Sequence, residues 1–250
     1  MPAGGPDHRT AARLAEEAGA LLLEVRAAGA GIPPRELGSR GDRASHQHLM
    51  EALHSAHPHD AVLSEEAADD SARLNAARVW IIDPLDGTRE FGEGDRWDWA
   101  VHVALWEHDD ITAAAVALPA RGIVLSTEDP PASTEDGPER LRIVVSRTRP
   151  PWVAEQLAER TGAELVPMGS AGAKTAAVLL GEADAYVHAG GQYQWDSAAP
   201  VGVALAAGLH ATRIDGSRLA YNRPETMLPD LLVCRAAVAS RLRTALDQLL

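Results

Sequence analysis

Residues 79–91, VWIIDPLDGTREF, constrain this chain more than any other stretch. Val79 to Ile82 form an apolar run of strand length. Pro84 cannot donate a ladder hydrogen bond, so pairing is expected to stop where Asp83 appears. Asp83 and Asp86 then stand at the C-terminal end of the strand. Gly87 permits a close backbone approach, and Thr88 suits the cap of a following helix whose N–H groups face outward, a place for an anion. Carboxylates about 4 Å apart repel by about 4 kcal/mol at an effective dielectric near 20, so a cluster of them needs a proton or a cation. Mg²⁺ is the simpler partner, because it takes carboxylate, carbonyl and hydroxyl oxygens. On this motif alone, a strand-ending turn with solvated aspartates remains open.

Two further segments bear on that choice. AVLSEE at 61–66 is another short apolar run that ends in acids, and YQWDSAAP at 193–200 places Asp196 at a helix start. Three separate segments thus deliver carboxylates that one fold can gather, and together they favour a metal cluster over three unrelated loops.

The net charge of −13 argues against a nucleic-acid binder, which needs clustered Lys and Arg. The longest apolar runs, such as 111–119, fall well short of the roughly 20 residues of a membrane span. The start, MPAGGPDHRT, has no basic segment followed by an apolar one, so a cytoplasmic protein is expected. A single cysteine, Cys234 in DLLVC, excludes an intramolecular disulfide and reads as a buried strand thiol.

Apolar spacing predicts a helix over 9–28, a break through GIPPRELGSRGD, and a second helix over 44–57. Strands are expected at 61–63, 79–82, 99–106, 113–118 and 121–126, a sheet of largely consecutive strands. The Pro-, Ser- and acid-rich stretch 128–140 is the expected lobe boundary. Beyond it, strands at 141–146, 164–168 and 183–189 alternate with helices at about 150–161, 171–181 and 196–208, the rhythm of βαβ units. The histidines at 46, 48, 54, 57 and 59 are irregularly spaced and read as surface residues rather than a zinc site.

WIIDPLDGTREF, LSEE and WDSAAP, together with GDRAS at 41–45 and SAGAK at 170–174, resemble the signature set of the Mg²⁺-dependent, lithium-sensitive inositol monophosphatase superfamily. Arg89, Glu90 and Phe91 are similar to the K/R-E-F of its CysQ-type 3'(2'),5'-bisphosphate nucleotidase branch, which removes the 3'-phosphate of 3'-phosphoadenosine 5'-phosphate. The resemblance implies an α/β chain in a layered αβαβα fold. Residues 1–138 would form an α+β lobe with the metal and phosphate site. Residues 139–250 would form an α/β lobe with the specificity site and Asp196.

It further implies that Glu65, Asp83, Asp86, Asp196 and the Leu85 carbonyl hold two or three Mg²⁺ ions, that Gly87 and Thr88 bind phosphate, and that Asp42, Glu65 and Thr88 position or activate the attacking water. Gly41 departs from the family's usual Thr or Ala. Lys174, the one lysine of the chain, would contact substrate, with Ser146 and His188 in the same pocket and His188 where the branch often has Arg. The partner implied is a small phosphorylated nucleotide, with no nucleic acid and no membrane, met by a monomer or homodimer. Alternatives are inositol-1-phosphate or fructose-1,6-bisphosphate as substrate, a haloacid-dehalogenase-like phosphatase (whose D-x-D-G-T is one residue shorter), or a non-catalytic nucleotide-binding module. Tyr193 and Trp195 could stack on adenine or merely pack.

Overall fold

The computed structural model describes residues 5–132 and 140–249; the expected boundary at 138/139 falls outside them. Two five-stranded sheets alternate with three helical layers. The first helical layer pairs α1 (Pro6–Ala28) with α2 (Pro34–Ala56). They cover a sheet ordered β1 (Ala61–Ser64), β2 (Arg78–Asp86), β3 (Ala100–Glu107), β4 (Asp110–Leu118), β5 (Ile123–Ser126). Its first pair is parallel and the rest antiparallel. A short helix, α3 (Thr88–Gly92), follows β2.

The second sheet contains β6 (Arg142–Ser146), β7 (Glu164–Met168), β8 (Ala185–Tyr193), β9 (His210–Thr212) and β10 (Met227–Cys234), in the order β7-β6-β8-β10-β9. Between the sheets lie α5 (Ala171–Leu179) and α6 (Gln194–Ala206), while α4 (Trp152–Thr161) and α7 (Ala236–Asp247) cover the outer face. The αβαβα layering follows from strand periodicity. Val79 and Ile81 of β2 enter the inner core with α5 and α6, whereas Trp80 and Ile82 point to the core beneath α1 and α2. Cys234 is buried in a third core under α4 and α7, and burial pushes its thiol up to about 12.

Three expectations need correction. The stretch read as a helix break is helical from Pro34. Proline at the first helical position loses no intrahelical bond, and Gly38 and Gly41 are there for close packing. A Cβ at Gly38 would lie 2.7 Å from Thr88 Cγ2, and one at Gly41 would lie 2.8 Å from Phe91 and 3.0 Å from Leu85. Gly41 thus lets α2 press on the β2 end.

Pairing of β2 also continues past Pro84. Asp83 pairs with His102 and Asp86 with Ala100, three residues against two, so Pro84 sits in a bulge. Residues three apart on a regular strand face opposite sides. The extra residue reverses that parity and turns Asp83 and Asp86 to one side. Finally, Gly87, at φ 88°, takes the cap position of α3, and Thr88 is its first residue. The C-terminal β9 and α7 have no counterpart in the sequence reading, because their short apolar runs are interrupted by charge. The β10 strand was read only around Cys234.

Candidate active site

The bulge, the first turn of α6 and the end of β1 converge on one place. Asp83, Asp86 and Asp196 offer carboxylate oxygens that all lie within 4.8 Å of one another, an arrangement able to hold a metal ion. Among the described residues no other group of three His, Cys, Asp or Glu side chains does so. Asp83 is buried; its Oδ1 accepts from the Leu85 N–H at 3.1 Å, and its Oδ2 has no hydrogen-bond partner. An orphaned buried carboxylate oxygen is costly without a proton or a cation, so the donor set fits a hard divalent ion.

Asp196, in the first turn of α6, accepts the Tyr193 N–H at 2.5 Å, which fixes its orientation. Glu65 stands just outside the trio, in the segment after β1. Its carboxyl is pushed up to about 7 by burial, then by Asp196 and Asp42. Burial, with Glu65 and Asp86, holds Asp83 well above the usual carboxylate range, and burial with Asp86 lifts Asp196 to about 6. Burial would lift Asp86 too, but His102, Lys174 and the Gly172 N–H pull it below its ordinary value.

Asp42 reaches the cluster from α2. It is buried, its Oδ1 lacks a partner, and its carboxyl is pushed up to about 7 by burial and Glu66, against a hydrogen bond from Thr88. The Thr88 hydroxyl also faces the Leu85 carbonyl at 3.2 Å. Ser45, one turn along α2, donates to the Pro84 carbonyl at 2.7 Å and pins the helix to the bulge.

The cluster opens into a cleft of about 700 Å³ lined by Gly87, Ser146, Arg149, Ser170, Lys174, His188 and Tyr193, among others. Each expected substrate residue is present there. Lys174 is buried and donates to the carbonyls of Gly169 and Ser170, the latter at 2.9 Å, with its Nζ 5.1 Å from the Tyr186 ring centroid. Ser146 caps the turn by accepting the Arg149 N–H at 3.3 Å. His188 directs Nε2 at the Gly191 carbonyl at 3.1 Å. A carbonyl only accepts, so that nitrogen carries the proton, and burial lowers the ring's pKa. Tyr193 stacks on Trp195 at 4.8 Å and 6° and is among the residues that line the cleft.

The sequence reading missed His102, Gly172 and Arg149. His102 is fully buried, 3.2 Å from Asp86 Oδ2, with Nδ1 3.1 Å from the Trp195 carbonyl. Strand alternation with Ala100 and Ala104 could have flagged a polar residue on an inward face. Gly172 donates its N–H to Asp86 at 2.7 Å and leaves room for His102, which a Cβ would meet at 2.2 Å. Arg149 makes no ion pair among the described residues, whereas its neighbour Arg147 is committed to Glu90 and Glu93 at 2.5 and 2.8 Å.

Comparison with known proteins agrees with this architecture. The chain is 52% identical over 245 residues to a 3'-phosphoadenosine 5'-phosphate phosphatase of Mycobacterium leprae, covering 93% of this chain and 90% of that one. It is 30% identical over 236 residues to the 3'(2'),5'-bisphosphate nucleotidase CysQ of Escherichia coli, covering 86% and 94%. The crystal structure of CysQ from Bacteroides thetaiotaomicron superposes with a TM-score of 0.76 at 25% identity, covering 91% and 96%. The model of the inositol monophosphatase family matches residues 8–248, and the chain belongs to that family.

Proposed function

We propose that this chain is a Mg²⁺-dependent phosphatase that hydrolyses the 3'-phosphate of 3'-phosphoadenosine 5'-phosphate to give AMP and phosphate. The observation that carries the reading is the meeting of Asp83, Asp86 and Asp196 beside the Gly87–Thr88 turn, at a cleft whose wall carries Arg149, which makes no ion pair among the described residues. The identity to relatives named for that reaction supports the substrate. In this reading, residues 1–138 supply most of the cation and phosphate site, and residues 139–250 supply Asp196 and specificity.

Glu65, Asp83, Asp86, Asp196 and the Leu85 carbonyl would hold the cations. Bound there, Mg²⁺ would offset the carboxylate repulsion, stabilise charge on the phosphoryl and leaving oxygens, and acidify a water. The N–H groups of Gly87 and Thr88 would orient the 3'-phosphate. The Thr88 hydroxyl, between Asp42 and the Leu85 carbonyl, would position the attacking water, and Asp42 would accept its proton. A carboxyl near 7 suits that role at neutral pH. We assign the 5'-phosphate to Arg149, with Ser146 shaping its turn, Lys174 fixing the Gly169–Ser170 carbonyls, and His188 acting as a neutral wall.

This assignment separates His188 from Arg149. With His188 uncharged above its lowered pKa, KM at saturating Mg²⁺ should stay flat from pH 7 to 8.5. Arg149→Ala should raise KM for 3'-phosphoadenosine 5'-phosphate by on the order of tenfold or more, the scale of a lost charge-assisted contact, and leave adenosine 3'-phosphate nearly unaffected. A KM that climbs across this range in the wild type but not in His188→Gln would return the charge to His188. Phosphate release from the nucleotide, inositol-1-phosphate and fructose-1,6-bisphosphate in parallel tests the substrate itself: the nucleotide should have the highest kcat/KM.

A further inference from the structure

Arg73, at 1% exposure, is the most deeply buried arginine among the described residues, and it lies outside the site just described. A guanidinium carries five N–H donors and no acceptor, so each N–H buried here needs an acceptor. Asp69 takes Nε and Nη2 at 2.6 and 2.9 Å, Asn222 Oδ1 takes Nη1 at 2.7 Å, and the Arg223 carbonyl accepts from Nη2 at 3.0 Å. Asn222 returns a bond from Nδ2 to the Arg73 carbonyl at 3.4 Å.

The chain of bonds continues through the same loop. The Asn222 N–H donates to Gln194 Oε1 at 2.6 Å, and Gln194 Nε2 donates to the carbonyls of Arg223 and Glu225 at 3.2 and 2.9 Å. The Gln194 N–H donates to the Thr226 carbonyl at 2.9 Å. Gln194 opens α6, two positions before Asp196, and Asp69 lies four positions after Glu65 in the segment that follows β1. A continuous hydrogen-bonded path, buried at Arg73, Asn222 and Gln194 and exposed at Asp69, thus joins the segment carrying Glu65 to the backbone carrying Asp196. Those two acids come from different sheets' connections and repel each other.

We propose that Arg73, Asn222 and Gln194 form a positioning clasp that sets the spacing of Glu65 and Asp196 and thereby the cation affinity of the site. None of the three touches the carboxylate trio. Partners that orient metal ligands from behind typically contribute 10- to 100-fold in affinity. Asn222 has a left-handed backbone, φ 53°, which glycine adopts without strain. Asn222→Gly therefore removes the acceptor for Arg73 without forcing the loop, and Asn222→Asp restores it.

The inference rests on the proposed metal site, and the test separates the two. Mg²⁺ is titrated calorimetrically into the wild type, Asn222→Gly and Asn222→Asp, alongside kcat and KM at saturating Mg²⁺. Asn222→Gly should bind Mg²⁺ about tenfold more weakly, with KM for the nucleotide within about threefold, and Asn222→Asp should recover most of the affinity. Asp69→Asn, at the solvent end of the clasp, provides a second variant that removes one charge with little burial at stake, and it should weaken Mg²⁺ in the same direction. Wild-type affinity in Asn222→Gly and Asp69→Asn, with only thermal stability lowered, would overturn the clasp. No Mg²⁺ binding by the wild type would overturn the metal site and the clasp with it.

Discussion

Asp83→Asn should lower turnover on the order of a thousandfold or more while making the metal-free protein harder to unfold. The two effects share one cause. Asp83 is buried among Glu65, Asp86 and Asp196, with one oxygen unpartnered and its pKa driven well above the usual range by burial and those neighbours. Without a cation that environment favours the protonated carboxyl over the carboxylate, and asparagine imitates the uncharged form. It can also keep the acceptor for the Leu85 N–H and donate to neighbouring carboxylates.

Asparagine sits uncharged among these acids without the proton uptake that the Asp83 carboxyl requires on folding, so the substitution should raise the Tm in EDTA at neutral pH by a few degrees, since about 1 kcal/mol moves a chain of this size by about 2–4 °C. The same change removes a charged ligand from the proposed cation site. About 4 kcal/mol of transition-state stabilisation corresponds to the thousandfold loss. Thermal unfolding and steady-state kinetics on one preparation check both. Full activity, or a lower Tm in EDTA, would remove Asp83 from the centre of the account.

Stability should also run against pH in a way that Mg²⁺ cancels. Asp42 is pushed up to about 7 and Asp196 to about 6, each by burial first, while Glu65, raised in the same direction, is exposed at the surface and contributes less because solvent screens it. Their folded values lie above those of the unfolded chain, so the folded state binds more protons through that interval. This contribution is fully present below about pH 4 and is lost as pH rises through 6 to 7. Asp86, held below its ordinary value, has the opposite sign, but its window lies lower, near pH 4 and beneath.

In EDTA the Tm at pH 5.5 should therefore exceed that at pH 8 by roughly 5–10 °C, the equivalent of a few kcal/mol in a domain this size. Millimolar Mg²⁺ should restore the pH 8 value, because deprotonated carboxylates bind it more tightly. An EDTA Tm that rose from pH 5.5 to 8 would mean that the acids are not crowded together.

Much of this site was legible before the fold, for local reasons. Asp83, Asp86 and Gly87 sit in one short motif whose residue types have few uses at a strand end, Glu65 closes a short apolar run, and Asp196 stands at the start of an apolar helix. What one sequence concealed was the mechanism of convergence. Pro84 read as a terminator, yet the strand absorbs it as a bulge, and only that extra residue puts both aspartates on one side. Gly38 and Gly41 of GIPPRELGSRGD read as breakers, but they lie inside α2, where Thr88, Phe91 and Leu85 crowd against them, a tertiary demand that local propensity does not register. His102 and Arg73 contact residues 93 to 150 positions away, and no local pattern announces partners at that distance.

The most direct test of the account is product analysis. The chain is incubated with 3'-phosphoadenosine 5'-phosphate and Mg²⁺, and nucleotides are separated by chromatography alongside a phosphate assay. The account predicts AMP and phosphate in equal amounts, with no reaction in EDTA. Adenosine 3'-phosphate as the product, turnover that survives EDTA, or an intact nucleotide beside readily hydrolysed inositol-1-phosphate would contradict it.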